Sequence, residues 1–177
     1  GESFYEHGYW DHGQSLHQSE LHVPLVFRWP DVLPPGQRIS HTVSLIDVMP
    51  TIAEQLDMPQ IEGIQGISLD PLFKDPDPLS PRQPVFAEGV KYKPELKALF
   101  WGDWKTIFNI QNDNPLLFNL TEDPREQYNR AGTQQQQVQK LHTALARQLE
   151  TNNRLGAEVP TRYSHLTPEQ LEQLRSL

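Results

Sequence analysis

Acids, imidazoles and aromatics crowd among glycines between Glu2 and His22, and such groups can move protons, hold anions or bind a metal. Four of the seven histidines, His7, His12, His17 and His22, recur at intervals of five residues. A four-histidine metal cage would need them on one face. Five steps along a helix turn the side chain by about 140° at roughly 3.6 residues per turn, and an odd step along a strand reverses its face. No regular element gathers all four, so the spacing argues against a shared metal site. Singly they are more promising, because an imidazole near neutral pH can sit charged beside an anion or hand a proton to a departing group. His7 and His12 each precede a glycine in loop-like sequence, where such work and an idle half-exposed loop are both open readings. Glu2 with Glu6, and Asp11 with His12, are possible acid–base pairs, or simply a solvated turn.

The elements that must position these groups can be read from pattern. Leu21-His22-Val23-Pro24-Leu25-Val26-Phe27-Arg28-Trp29 predicts a largely buried strand, stopped by Pro30 and the turn-forming Pro34-Pro35-Gly36. Ser44-Leu45-Ile46-Asp47 fits a capping box ahead of a helix whose apolar positions are Leu45, Val48, Met49, Ile52, Ala53 and Leu56. Pro50 is tolerable there because it lies near the first turn. Between Gln60 and Pro84 prolines and glycines accumulate, as in Asp75-Pro76-Asp77-Pro78 and Ser80-Pro81, which predicts a domain junction with a short helix around Ser68 to Phe73. Strand signals then return at Val85-Phe86-Ala87, Ala98-Leu99-Phe100-Trp101, Trp104 to Phe108 and Leu116 to Leu120. Gly102-Asp103 and Asn112 to Pro115 separate them as hairpin turns would. Val138, Leu141, Leu145 and Leu149 form the stripe of a helix covering one face of that sheet, and Thr167-Pro168-Glu169-Gln170 opens a last helix with Leu171, Leu174 and Leu177.

Composition excludes several classes. Over 177 residues, 15 Lys and Arg against 23 Asp and Glu give a net charge of -8, with no basic block to meet phosphates, so nucleic acid is not the partner. With 36% hydrophobic residues the chain can bury a core, as one domain or one plus an appendage. No apolar run approaches the roughly 20 residues that cross a bilayer, so no transmembrane segment is expected. The absence of cysteine removes disulfides, thiolate metal sites and a thiol nucleophile. Gly1-Glu2-Ser3-Phe4 is neither an initiator methionine nor a signal peptide, and reads as the interior of a longer sequence.

The order Gly1-Glu2, Glu6-His7-Gly8, Trp10, His12-Gly13, Ser15-Leu16, Val23-Pro24-Leu25, Trp29-Pro30 resembles the later catalytic segment of the sulfatase family. The resemblance continues through Pro35-Gly36-Gln37-Arg38, Val43 to Asp47 with Pro50-Thr51, Gly66 to Leu69 with Pro71-Leu72, Trp104-Lys105, and Leu117 to Leu120 with Asp123-Pro124 and Glu126. Leu171 to Leu177 resembles the run near the end of many members. It implies an α/β fold: the C-terminal part of an alkaline-phosphatase-like doubly wound α/β domain, then a small α+β domain of four antiparallel strands with a helix. Residues 1–74 would belong to the first, 75–84 to the Pro-rich junction, 85–160 to the second, and 161–177 to a C-terminal helical segment.

The resemblance also implies a chemistry. The intact enzyme would cleave a small-molecule or glycan sulfate ester, using formylglycine and a divalent cation, commonly calcium. Both would lie outside this chain, since Ser80-Pro81-Arg82 lacks the spacing of the family's Cys/Ser-x-Pro-x-Arg motif and the metal-binding Asp-Asp is absent. The later Asp-His or Asp-Asn metal pair would fall immediately before Gly1. No metal ligand is therefore assigned here, and the isolated chain is expected to be inactive. His12 stands where members place a Lys or His that contacts the sulfate, which makes it the candidate catalytic and substrate-binding residue. His7 is a second substrate-binding candidate, His17 and His22 read as structural, and Tyr9 and Trp10 are candidates to wall the pocket. A phosphodiesterase or phosphonate monoester hydrolase of the same superfamily is an alternative; so is a non-catalytic binding or structural domain in which residues 1–16 are a surface loop. Many sulfatases are exported to a periplasm or beyond, but the sequence assigns no compartment and no oligomeric state.

Overall fold

The computed structural model describes residues 1–59, 62–76, 83–91, 95–112 and 114–158. In chain order its elements are β1 (Ser3–Phe4), β2 (Trp10–Asp11), α1 (Gln18–Leu21), a 3-10 turn (Leu45–Asp47), α2 (Val48–Gln55), α3 (Asp70–Lys74), β3 (Val85–Glu88), β4 (Leu96–Trp101), β5 (Trp104–Asn109), β6 (Leu116–Asn119) and α4 (Gln135–Glu158).

The last four strands form an antiparallel sheet in the order β3-β4-β5-β6, each paired with its neighbour in sequence. Its register sets Ala98 opposite Ile107, and puts Lys105 between Phe100 on one side and Phe118 on the other. Strand side chains alternate between faces, so the sheet has two apolar surfaces and needs two covers. Leu99, Phe108 and Leu117 lie on the face under α4, where Leu141 and Leu145 are buried and Val138 and Leu149 pack beside them. Burying each such leucine is worth about 1.5–3 kcal/mol, which explains why the stripe at helical spacing fixes α4 there. On the other face Ala98, Phe100, Ile107 and Phe118 enclose Leu16, with Leu21 packed alongside. The segment around α1 thus covers the sheet opposite α4.

A third cluster joins Leu69, Leu72 and Phe73 of the α3 region to Phe27, Leu33, Ile39 and Val43. The Ser44–Asp47 turn behaves as its pattern predicts: Ser44 N–H donates to Asp47 Oδ2 at 3.0 Å. Asp47 Oδ1 also accepts from Ile67 N–H at 3.0 Å, and Thr51 Oγ1 accepts from Leu69 N–H at 2.9 Å. These bonds bring chain 66–69 so close to the turn that a Cβ on Gly66 would collide with the Ile46 carbonyl.

One expected element does not form. Residues 22–29 form no strand and pair with none among the described residues, and Val26 is 84% exposed. A strand is held by ladder hydrogen bonds to a neighbour; none lies alongside, and Pro24 has no N–H to offer. The apolar positions in and beside α2 also face outward for the most part, Leu45, Met49, Ile52 and Leu56 being exposed while Ala53 is buried. Most of the expected junction, including Ser80-Pro81-Arg82, and the whole 161–177 segment lie outside the described residues.

Candidate functional site

His12 owes its place to a hairpin too short to leave a hydrophobic pattern. β1 and β2 pair Ser3 with Asp11 and Phe4 with Trp10. Their loop is closed by Tyr5 N–H on the Tyr9 carbonyl at 2.8 Å and Gly8 N–H on the Tyr5 carbonyl at 3.2 Å. Tyr5 and Asp11 both take positive φ, 77° and 75°, to complete it. His12 follows directly, and its Nδ1 lies 3.0 Å from Glu2 Oε1 and 2.7 Å from Asp11 Oδ1. A carboxylate accepts only, so Nδ1 is the ring nitrogen that donates to the two acids. Of the two pairs named from sequence, Asp11 with His12 is formed, and Glu2 meets the same imidazole instead of Glu6. Glu6 does not join them: it accepts Phe4 N–H at 2.6 Å, and bonds from its own and the Phe4 backbone hold its carboxyl below the usual range. Trp10 stacks on Tyr5 at 5.9 Å and meets Phe4 edge-on at 6.4 Å, all three exposed beside His12, with Tyr9 exposed as well.

The chain after His12 wraps around the buried carboxylate of Glu20. Oε2 accepts Gly13 N–H at 2.5 Å and Gln14 N–H at 3.1 Å. Oε1 takes Ser15 N–H at 3.0 Å, Ser15 Oγ at 2.7 Å and Ser3 Oγ at 3.3 Å. Burial opposes ionisation, yet these bonds outweigh it and keep the Glu20 carboxyl below its ordinary value. Gly13 is required twice over, since its φ is +75° and an added Cβ would stand 3.1 Å from Lys91 Cβ. Lys91 N–H, from the turn after β3, donates to the Gly13 carbonyl at 2.7 Å.

A second cluster lies deeper. His7 stacks face to face on His17, centroids 3.7 Å apart and planes 8° from parallel. His17 Nδ1 is 3.1 Å from Glu126 Oε2, which also accepts Gln18 N–H at 2.6 Å. The Lys105 ammonium pairs with Glu126 Oε1, both side chains being 0% exposed. Burial pulls Lys105 down to about 8 against the pull of Glu126. Burial would raise Glu126, but the His17 bond, the Lys105 charge and the Gln18 amide keep it below the usual carboxylate range. His7 is lowered, first by burial and then by His17 and Lys105, which together outweigh Glu126 and Glu6.

The five-residue spacing thus divides as its geometry predicts. His12 sits with Glu2 and Asp11, His7 and His17 sit with Glu126, and His22 is exposed at the end of α1. His7 and His12 are not brought together. Either group could place three ligand atoms within 4.8 Å of one another, but neither suits calcium, which takes six to eight oxygens. Parallel stacked rings cannot both aim a lone pair at one ion, and Glu126 already holds an ammonium. The Glu2, Asp11 and His12 group offers two exposed carboxylates and a nitrogen. Residues that sequence reasoning left without a role are Glu20, Lys105 and Glu126. For Lys105 a signal existed: a lone charge alternating inward with Ile107 in an apolar strand must find a buried partner.

This arrangement, a four-stranded antiparallel sheet between a long helix and a polar loop, is the fold found in sulfatases. The structure of BT4656 in complex with its substrate D-glucosamine-2-N,6-O-disulfate superposes with a TM-score of 0.73 at 22% identity, covering 93% of this chain and 34% of that one. A phosphonate monoester hydrolase from Silicibacter pomeroyi superposes with a TM-score of 0.57 at 21% identity, covering 88% of this chain and 33% of that one. Residues 5–154 match the model of a family described as N-sulphoglucosamine sulphohydrolase, C-terminal, and the chain belongs to this family of sulfatase domains. It is 32% identical to arylsulfatase K of Xenopus laevis over 142 residues, covering 74% of this chain and 26% of that protein. With human steryl-sulfatase it shares 25% over 177 residues, covering 81% of this chain and 30% of the relative. The chain spans between a quarter and a third of the length of these two relatives. No helix among the described residues is long and apolar enough to cross a membrane.

Proposed function

We propose that this chain supplies the C-terminal share of a sulfate ester hydrolase, with His12 as the group that meets the sulfate and the departing oxygen. The observation that carries the reading is the seat of His12: Nδ1 is engaged by Glu2 and Asp11, so Nε2 is the nitrogen presented to a substrate. As an imidazolium, His12 offsets charge building on the sulfuryl oxygens and gives its Nε2 proton to the alkoxide that leaves. In this reading formylglycine and a divalent cation, commonly calcium in the family, are held by residues outside this chain, the cation neutralising part of the sulfate charge. The outward apolar residues Val26, Leu45, Met49 and Leu56 are suited to being covered by the rest of such a catalytic domain. The substrate class is a small-molecule or glycan sulfate ester.

The test is His12→Ala in the whole enzyme. Loss of a positioned acid costs about 10²- to 10⁴-fold in kcat. The loss should be larger for an alkyl or sugar sulfate than for nitrophenyl sulfate, whose leaving group departs without a proton. If neither substrate slows tenfold while folding and metal content are unchanged, His12 is a bystander. Faster turnover of an aryl phosphonate ester than of its sulfate counterpart would move the enzyme to the phosphonate hydrolase reading.

A further inference from the structure

We infer that Glu126, which follows β6 in the sheet lobe, is a positioning residue for His12, acting through His17 and His7 to hold the hairpin that carries it. This inference rests on the reading of His12 above and names the part of the molecule that keeps His12 in place.

The sheet lobe holds the amino-terminal segment at Gly13 and at His17–Gln18, and through the ring of His17 it reaches the loop upstream of His12. Upstream, the β1–β2 loop is held by the stacking of His7 on His17. Downstream, Lys91 N–H takes the carbonyl of Gly13, the next residue after His12. Glu126 fixes the pivot of the upstream grip, because its Oε2 accepts from both the ring of His17 and the backbone of Gln18. Two bonds to one oxygen, from adjacent residues, set both the position of the chain at 17–18 and the plane of the His17 ring. That plane is the surface on which His7 lies. The Lys105 ammonium on Oε1 keeps the carboxylate charged and oriented inside an apolar layer flanked by Phe100 and Phe118.

Two further features fit a constrained device better than ordinary packing. Glu126 occupies left-handed backbone, φ +56°, which a residue with a side chain adopts only where the surroundings dictate it. A lysine and a glutamate are buried where two apolar residues would fill the space without desolvation, which fits a pair whose work is to orient its neighbours.

The experiment varies His17 and leaves the buried ion pair intact. His17→Phe keeps a ring beneath His7 but no donor for Glu126, His17→Asn keeps a short donor but no ring, and His17→Ala keeps neither. Amide hydrogen exchange on the full chain compares the hairpin amides of Tyr5 and Gly8 with the sheet amides of Leu99, Thr106 and Leu117. Expected is at least a tenfold faster exchange at Tyr5 and Gly8 in His17→Ala, with sheet amides unchanged and the Phe and Asn variants intermediate. Unchanged hairpin exchange overturns the inference, and so does a uniform rise across the sheet, which would make His17 merely structural. If His17→Ala does not fold, the Phe and Asn variants decide by the same comparison. In the whole enzyme His17→Ala should lower kcat about 10- to 100-fold at nearly constant KM, the cost of displacing a reacting group by about 1 Å. Full kcat in His17→Ala beside an impaired His12→Ala sinks this inference alone. No effect of His12→Ala sinks the reading of the site, while the exchange pattern still decides whether Glu126 holds the hairpin.

Discussion

Replacing Lys105 by methionine isolates the energetics of the buried ion pair. Methionine keeps most of the stem that packs by Phe100 and removes only the ammonium, which lies 4.9 Å from that ring's centre. Glu126 would then stand fully buried with two donors, Gln18 N–H at 2.6 Å and His17 at 3.1 Å. Removing one member of a buried pair costs about 3–5 kcal/mol because the other charge is left behind. The two remaining donors pull the value toward the lower end, and the lost cation–π contact restores about 0.5–2 kcal/mol of it. The expected loss at pH 7 is therefore about 3–5 kcal/mol, read from urea unfolding followed by the fluorescence of Trp101 and Trp104. Acidification supplies the sign test. In the parent, Glu126 lies below its ordinary value of 4.5; removing Lys105 takes away two of the influences that lower it, so the folded carboxyl moves upward. A native carboxyl that binds its proton more readily than the parent's loses less stability in acid, so the variant gains relative to the parent as pH falls from 7 toward 5. Restoring neutrality with Lys105→Met/Glu126→Gln should recover part of the loss. A cost under about 1 kcal/mol, a gap that widens on acidification, or a double variant weaker than the single one would refute the reasoning.

Leu145, 3% exposed between α4 and the sheet, should cost about 2–5 kcal/mol on replacement by alanine; a loss below about 0.5 kcal/mol in denaturant unfolding would contradict its placement. Gly66→Ala should destabilise by more than about 1 kcal/mol, because the new methyl meets the Ile46 carbonyl; an unchanged melting temperature would show that the 66–69 approach is looser than described. The folded His7 titrates below its ordinary 6.5, facing His17, Lys105, Glu126 and Glu6. A base depressed on folding stabilises above its unfolded value, so the parent should lose stability as pH falls from about 6.5 toward 5. His7→Phe should flatten that slope, and an unchanged slope would remove His7 from the acid response.

The sheet and its helix were legible because their signals are local. Apolar runs at Val85, Ala98, Trp104 and Leu116 are bounded by turn residues, and the leucines of α4 repeat at helical spacing. The capping box at Ser44 and Asp47 was legible for the same reason, its two partners being three residues apart. Leu21 to Trp29 misled because composition can announce a strand, while only a neighbouring strand can make one. The hairpin at Ser3 and Asp11 was invisible, since two-residue strands carry no alternation and its turn rests on positive φ at Tyr5 and Asp11. His12 was identified by its place in a familiar order of residues, but its carboxylate partner Glu2 is ten positions away. Glu126 stood in a landmark run, yet nothing local couples it to a histidine 109 residues earlier.

That separation also sets the order of assembly. β3 to β6 pair only with sequence neighbours, and α4 follows them, so this part closes short loops and can form early. Bringing His17 to Glu126 closes a loop of 109 residues, which costs about 2 kcal/mol more entropy than closing one of about 10. By loop closure alone, the segment bearing His12 is expected to join after the hairpins of the sheet it covers. Because the chain is synthesised from the amino end, His17 must wait for more than 100 successors before Glu126 is there to hold it.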